Sequence, residues 1–369
     1  MSKKVVAVVF GGRSVEHEIS LLSAKSILSK IDKRKYKIFS IFIEKNGTWR
    51  RAYIDNWVKG GDLIIHKDSF LSPSLNPDNP VFYEIKNKHV IGRHKLDVIF
   101  PVLHGTYGED GTVQGLFKLM DVPFVGASVL GSSIGMDKIA MKTIFKQSGL
   151  PVVDFIGFYR HDWKNHKSSL VSKILKEIGP PCFVKSGDLG SSVGITKVKS
   201  VIDLERAIDY SCNFSDRIII EKAVIDPREI EISVLGNDDP IASLPGEIIP
   251  KREFYDYAAK YTEEGTELVA PVKLSENVIA KLKTYAIKAF KSIDCDGMGR
   301  VDFLLERKTG KIFVSEINTI PGFTQISMYP KLWEVSGIKY KELISRLIEL
   351  AFEKNKKSKK LSTDYKINL

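Results

Sequence analysis

The chain has 369 residues, 43% of them hydrophobic, with 56 Lys and Arg against 45 Asp and Glu and a formal net charge of +11. That length exceeds what one small core organises and predicts two or three domains, and no apolar run reaches the roughly 20 residues of a transmembrane helix. The three cysteines, Cys182, Cys212 and Cys295, are far apart and in no metal-binding spacing, which excludes a disulfide framework and predicts reduced, buried thiols.

After MSKK only VVAVVF precedes Gly11-Gly12, too short for a signal-peptide core, so a cytoplasmic location without membrane insertion is expected. Residues 5–10 read as a buried strand, and Gly11-Gly12 turns the chain. Ser14 is placed to cap a helix running to about Lys30, with Glu16 and Glu18 in its first turn, where carboxylates suit the helix dipole. No G-x-G-x-x-G follows, so a dinucleotide site is weakly supported. Glu16 is either dipole compensation or a carboxylate aimed at a cationic amine. A second strand is expected over 37–44. Residues 45–96 carry short mixed strands, a Pro/Asn/Ser loop and no recognisable chemistry. Residues 97–103 read as another buried strand, ending at His104-Gly105. A Gly-rich loop then leads into a helix from about Thr112. At the C-terminal end of a parallel strand, where open α/β sheets bind ligands, His104 is as well suited to substrate contact as to structural hydrogen bonding. Residues 122–126 close the first domain.

Asp137 and Lys138 head a helix with Ile139, Met141, Ile144 and Phe145 on its apolar face. In residues 180–198 two strands flank GDLGSSVG, whose small residues let backbone N–H groups approach phosphates. No Gly-Lys-Ser/Thr ends this loop, so it is not a Walker A motif, and Lys185 precedes it. Residues 218–221 form an apolar strand ending in Glu221. The linker that follows can supply an adenine slot, with Glu221 for the amino edge and Ala223 and Val224 for the ring. Another strand is expected over 229–235. Residues 250–268, aromatic and charged, read as a lid. Helices are expected over 278–292 and 339–353, the second with Leu343, Leu347 and Ala351 on one face. The basic stretch EKNKKSKK, 353–360, reads as a solvated tail, and the remaining positive charge suits anionic nucleotide substrates.

Residues 299–323 predict a β-hairpin. Its strands are 299–305 and 312–318, and its turn is 306–311. Pairing them sets Asp302 opposite Glu316 and Arg300 opposite Asn318, all on one face. Carboxylates directly opposite each other repel, so such a pair calls for a compensating cation. Its oxygen donors suit Mg²⁺ shared with substrate phosphates. A solvated polar face is the alternative. Arg300 beside the acids and Pro321-Gly322 after them add an anion site.

Together VVFGGRSVEHEIS, HGTYGEDGTVQG, GMDK, LGSSVG, REIE, FYDYAAKY and EINTIPGFT, in this order, resemble the ATP-grasp ligases, and among them the D-alanine–D-alanine ligase family. Ser186, Asp226-Pro227 and Gln325 depart from the usual pattern. The resemblance implies an α/β, three-domain ATP-grasp fold with an N-terminal Rossmann-like domain. Its divisions are 1–126, 127–221 and 222–369. It also implies ATP-dependent joining of two D-alanines through a D-alanyl phosphate, for peptidoglycan precursors. Lys138, Lys185, Ser191, Ser192, Glu221, Ala223, Val224, Glu229 and Lys260 would bind ATP. Asp302, Glu316 and Asn318 would bind two Mg²⁺, or Mn²⁺. Glu16, His104, Arg300, Gly322 and Ser327 would meet the substrates. A hydrogen-bond chain from Tyr261 through Ser191 to Glu16 would pin the lid. The family also implies a homodimer. Two other readings are a D-alanine–D-lactate ligase, in which Phe often stands in place of Tyr261, and a non-catalytic, basic nucleotide- or nucleic-acid-binding protein. No nucleic-acid-binding motif is matched.

Overall fold

A computed structural model of the chain describes residues 3–190, 194–250, 266–324 and 326–362. The chain opens with β1 (Lys4–Gly11), α1 (His17–Lys30), β2 (Tyr36–Ile43), β3 (Trp49–Tyr53) and β4 (Ile64–Ile65). It continues through β5 (Phe70–Pro73), β6 (Val81–Lys86) and β7 (His89–Lys95), then β8 (Val98–Val102) and α2 (Thr112–Leu119). The first sheet has the order β4-β3-β2-β1-β8. Strand β1 pairs in parallel with β2 on one side and β8 on the other. Val6, Val8 and Phe10 pack into one core, Ala7 and Val9 into another. Burial on both faces is why the run is apolar throughout rather than alternating. The chain leaves β1 toward β2 but β8 lies on the other side, so their carboxyl ends bound a crevice of the kind α/β sheets use for ligands. Ser14 does not cap α1 as expected. The helix starts at His17, and Ser14 Oγ instead accepts the Glu16 N–H at 3.1 Å. Residues 70–95 form a separate antiparallel sheet, β5-β6-β7.

The second unit follows with α3 (Val129–Met136), α4 (Lys138–Gln147), β9 (Phe155–Tyr159), α5 (Arg160–Glu177), β10 (Cys182–Ser186), β11 (Thr196–Val198), α6 (Val201–Ser211) and β12 (Arg217–Lys222). Its antiparallel sheet is ordered β11-β10-β12-β9. Cys182, Val184, Ile218 and Ile220 pack against Trp163 and Ile174 of α5 and Leu204 and Ile208 of α6. Period-two alternation turns Lys185 and Glu221 to the opposite face.

The third unit comprises β13 (Pro227–Gly236), β14 (Ile241–Ala242), β15 (Gly246–Pro250), β16 (Thr266–Val269), α7 (Glu276–Ser292), β17 (Gly297–Glu306), β18 (Ile312–Asn318), α8 (Met328–Val335) and α9 (Tyr340–Ser358). Its sheet runs β16-β15-β13-β17-β18, with β14 on β13. Ile230, Ile232, Val301, Phe303 and Leu305 pack on Leu282, Ala286 and Phe290 of α7, and also on Met141 and Phe145 of α4. Helix α8 was not foreseen. In α9, Leu343, Leu347 and Ala351 do share a face, and it packs into the core of the first sheet with Val6, Val8 and Phe10. The basic stretch expected to be a solvated tail is helical to Ser358. Lys354 pairs with Asp296 at 2.6 Å, Lys359 with Asp121 at 2.9 Å, and Lys357 with Asp238. Among the described residues, no helix is long and apolar enough to cross a membrane.

Candidate active site

The hairpin β17/β18 places Asp302 opposite Glu316 and Arg300 opposite Asn318. A bulge after Asp302 makes this register: Phe303 faces Val314, which leaves Ser315 as the extra residue. Strand β13 lies on the other side of β17 and sets Glu231 opposite Asp302. Three carboxylates therefore cross three neighbouring strands. Arg300 compensates them: its Nε and Nη2 each donate to Asp302 at 2.8 Å, and Nε lies 3.0 Å from Glu231 Oε2. Burial would weaken the Arg300 charge, but Asp302 and Glu231 outweigh it and hold the guanidinium more firmly protonated than usual. Asn318 Nδ2 donates to Asp302 Oδ2 at 3.0 Å.

On the second sheet, Glu221 is 3% exposed and lies between two lysines. Lys185 Nζ donates to Oε2 at 2.8 Å, and Lys142 Nζ is 3.3 Å from Oε1. Burial alone would raise the Glu221 carboxyl, yet Lys142 and Lys185 overcome it and hold it at about 2. Lys185 is shifted upward, with Glu221, Glu316 and Glu229 all outweighing its burial. The residues expected on phosphate and on adenine thus hold each other in this structure. Ala223 and Val224 form the linker after β12, where the Ala223 N–H donates to Pro181 O at 3.1 Å. Glu229 lies on β13 between Leu304 and Ile248.

Asp137 caps α4, its side chain accepting the Ala140 N–H at 2.8 Å. Lys138 Nζ donates to Leu189 O at 2.5 Å, and its N–H to Gly187 O at 2.7 Å. Arg217 ties Asp137 to the Tyr159 hydroxyl, and Ser215 Oγ donates to Asp188. The base of the glycine loop is thereby held from α4 and from β12.

Beyond β8 a Cβ on Gly105 would stand 2.6 Å from Glu16 Oε2, and its φ of +73° is a conformation that glycine adopts without strain. A Cβ on Gly190 would lie 3.4 Å from that oxygen, so the glycine loop and Glu16 adjoin. His104, expected beside the substrate, spends both ring nitrogens on the protein. Nδ1 lies 3.1 Å from Ile320 O, and Nε2 lies 3.0 Å from Ser23 Oγ. A carbonyl only accepts, so Nδ1 carries the proton and the Ser23 hydroxyl donates to Nε2. Burial lowers the His104 pKa and keeps it neutral. It braces α1 and β8 against residues 320–323 and offers no free ring nitrogen to a ligand. Ser327 Oγ lies 2.7 Å from where a Gly322 Cβ would stand, and accepts the Thr324 N–H at 3.0 Å. Ser191, Ser192, Lys260 and Tyr261, and the chain drawn from Tyr261 to Glu16, lie outside the described residues, as does most of the expected lid.

Three residues escaped the sequence reading. Lys142 is 1% exposed on a face taken as apolar, and its signal was the i, i+4 spacing from Lys138. Glu231 follows Glu229 by one strand period. Glu109 accepts N–H bonds from Gly105 at 2.8 Å and Ile320 at 3.2 Å, while burial and Glu16 push its carboxyl up to about 8. The charge of Arg300 reaches both His104 and Glu109, and that of Glu316 reaches Lys185. The titratable groups therefore form one row, from Glu16 and Glu109 through Arg300 and the acids to Lys185, Glu221 and Lys142.

The chain matches two family models, D-ala D-ala ligase N-terminus over residues 5–127 and D-ala D-ala ligase C-terminus over residues 144–349. A D-alanine–D-alanine ligase of Chloroherpeton thalassium is 46% identical over 361 residues, covering 96% of this chain and 98% of that protein. One of Clostridium novyi is 43% identical over 357 residues, covering 96% and 100%. The solved D-alanine–D-alanine ligase of Coxiella burnetii superposes with a TM-score of 0.82 at 36% identity, covering 98% of this chain and 97% of that one. A D-Ala:D-Ser ligase of Enterococcus faecalis superposes with a TM-score of 0.83 at 31% identity, covering 95% and 100%. Matched along nearly its whole length in both sequence and fold, the chain belongs to the D-alanine–D-alanine ligase family, with the ATP-grasp architecture.

Proposed function

We propose that the protein joins two D-alanines at the expense of ATP, and that the row of groups from Glu16 through Arg300 to Lys185 carries the chemistry. The carboxylate of the first D-alanine attacks the γ-phosphorus of ATP, giving an acyl phosphate and ADP. The amine of the second attacks the acyl carbon, and phosphate leaves. Glu16, adjoining the glycine loop, is placed for the first substrate's ammonium group. Lys138 and Lys185 neutralise phosphate oxygens, which requires Lys185 to exchange Glu221 for the nucleotide. Arg300 and the Gly322 N–H face the oxyanion of the tetrahedral intermediate, where a fixed cation and a donor each lower the barrier. Ser327 stands beside Gly322 for the second D-alanine.

Asp302, Glu316 and Asn318 offer only oxygen ligands, a donor set that fits Mg²⁺ or Mn²⁺. Such ions would neutralise charge on the transferring phosphoryl group. We take 1–126, 127–221 and 222–369 as the working domains and a homodimer as the working form.

The test is ADP release with D-alanine, set against L-alanine, D-lactate, D-serine and no amino acid, with the product identified by mass. D-alanine alone should support full turnover and give the dipeptide. D-serine is included because a D-Ala:D-Ser ligase shares the fold at 31% identity, whereas the D-lactate alternative draws no support from these relatives. Faster turnover with D-alanine plus D-serine or D-lactate would displace the dipeptide reading.

A further inference from the structure

Lys142 has no part in the roles derived above, yet it is a lysine 1% exposed to solvent. Its ion-pair partner among the described residues is Glu221, at 3.3 Å. Glu221 has two cationic neighbours in this structure, and the second, Lys185, is the one that must leave for the nucleotide phosphates. We propose that Lys142 is a positioning residue for the ATP site, the counter-ion that keeps Glu221 ionised and in place once Lys185 has transferred to ATP. This rests on the ATP-site reading above.

The geometry gives the reason. Lys142 reaches Oε1 from α4 and Lys185 reaches Oε2 from β10, so the carboxylate is held from two independent elements. Removing Lys185 alone leaves the Lys142 pair; burial lowers the Lys142 pKa and so does the neighbouring Lys185, so departure of Lys185 favours the charged form of Lys142. Removing both leaves a buried carboxylate without a counter-charge, which is strongly unfavourable, and such a group takes up a proton instead. Glu229 of β13 and Glu316 of β18 act on Lys185 from the facing sheet and offer Glu221 no positive charge. Lys138, one turn before Lys142 on α4, is committed to Leu189 O on the glycine loop. One face of α4 thus anchors both the loop and the carboxylate.

Proton linkage separates this role from a merely structural one. In a Lys142→Met variant, free Glu221 keeps Lys185 and stays ionised, but in the ATP complex its pKa rises. ATP binding then becomes coupled to proton uptake, and affinity falls with rising pH between the two pKa values. The experiment is calorimetric titration of the full-length protein with a non-hydrolysable ATP analogue and Mg²⁺, in buffers of different ionisation enthalpy, from pH 6 to 8.5. Relative to wild type, Lys142→Met should take up additional protons, approaching about one per nucleotide, and lose up to about tenfold in affinity per pH unit. Lys142→Arg should restore wild-type proton uptake. Adding Lys142→Met to Glu221→Gln, which needs no counter-ion, should leave the affinity of the single Gln variant unchanged. Proton uptake in Lys142→Met equal to wild type would overturn the proposal, as would further loss in the double variant relative to Glu221→Gln. Absence of analogue binding by the wild type would instead remove the ATP-site reading, and this inference with it.

Discussion

Glu221 sits at a point of charge balance that decides how its neighbourhood responds to pH. Its carboxyl, ordinarily near 4.5, is held at about 2 by Lys142 and Lys185 against the effect of burial. A folded-state pKa below the unfolded one contributes stability that is fully present above about pH 4.5. That stability is lost as pH falls from 4.5 toward 2. Glu221→Gln leaves two lysines facing a neutral amide and should cost on the order of 3 kcal/mol. Denaturant titrations of both proteins should show a constant gap from pH 5 to 7, closing as pH drops below 4.5. A gap independent of pH down to 3 would mean that Glu221 is not ion-paired in the folded protein.

At the level of the element, the hairpin does more than oppose two acids. The bulge after Asp302 brings Glu316 opposite it, and β13 adds Glu231 from the other side. Arg300 is bonded twice to Asp302 and paired with Glu231. Relief of carboxylate repulsion is therefore not the whole account of substitutions here. Asp302→Asn removes the charge that Arg300 grips in a fork, the strong kind of hydrogen bond, whereas Glu316→Gln leaves that fork intact. Both variants should lose at least about a hundredfold in turnover, as removal of electrostatic groups at developing charge does. Asp302→Asn should also melt at a lower temperature than Glu316→Gln. Thermal unfolding by circular dichroism separates the two effects, and near-normal activity of either variant with Mg²⁺ would sink the assignment of these acids.

Across the whole molecule, three sheets supply the row, and the last helix fastens the first of them to the third. Helix α9 buries Leu343, Leu347 and Ala351 in the core of the first sheet although it follows the third. Its lysines pair with Asp121, Asp238 and Asp296, which belong to three separate connections. Three lysines of this stretch are thus balanced locally by aspartates rather than presented as a basic patch. Replacing Lys354, Lys357 and Lys359 together by Ala should lower stability by no more than about 1 kcal/mol per pair. Most of that loss should vanish at 1 M salt, where the screening length is only about 3 Å. A larger loss, insensitive to salt, would mean that the lysine stems act through packing instead.

Local pattern alone specified a good deal. The hairpin strands, Asp302 opposite Glu316, the glycine loop between two strands and the apolar face of α9 were all legible. Each depends on period-two or period-3.6 spacing within a few dozen residues. Motif order pointed to the family, because the spacing of HGTYGEDG, GMDK, LGSSVG and EINTIPGF is a joint constraint that chance seldom meets. What escaped were the contacts between elements far apart in sequence. Lys142 drew no reading from the sequence, because its partner Glu221, 3.3 Å away, is 79 residues further along the chain on another sheet. His104 kept two readings open until Ser23 and Ile320, 81 and 216 residues away, took its two nitrogens. The partners of a buried charge are set by which elements pack together, and the spacing of residues along one strand or helix does not contain that information.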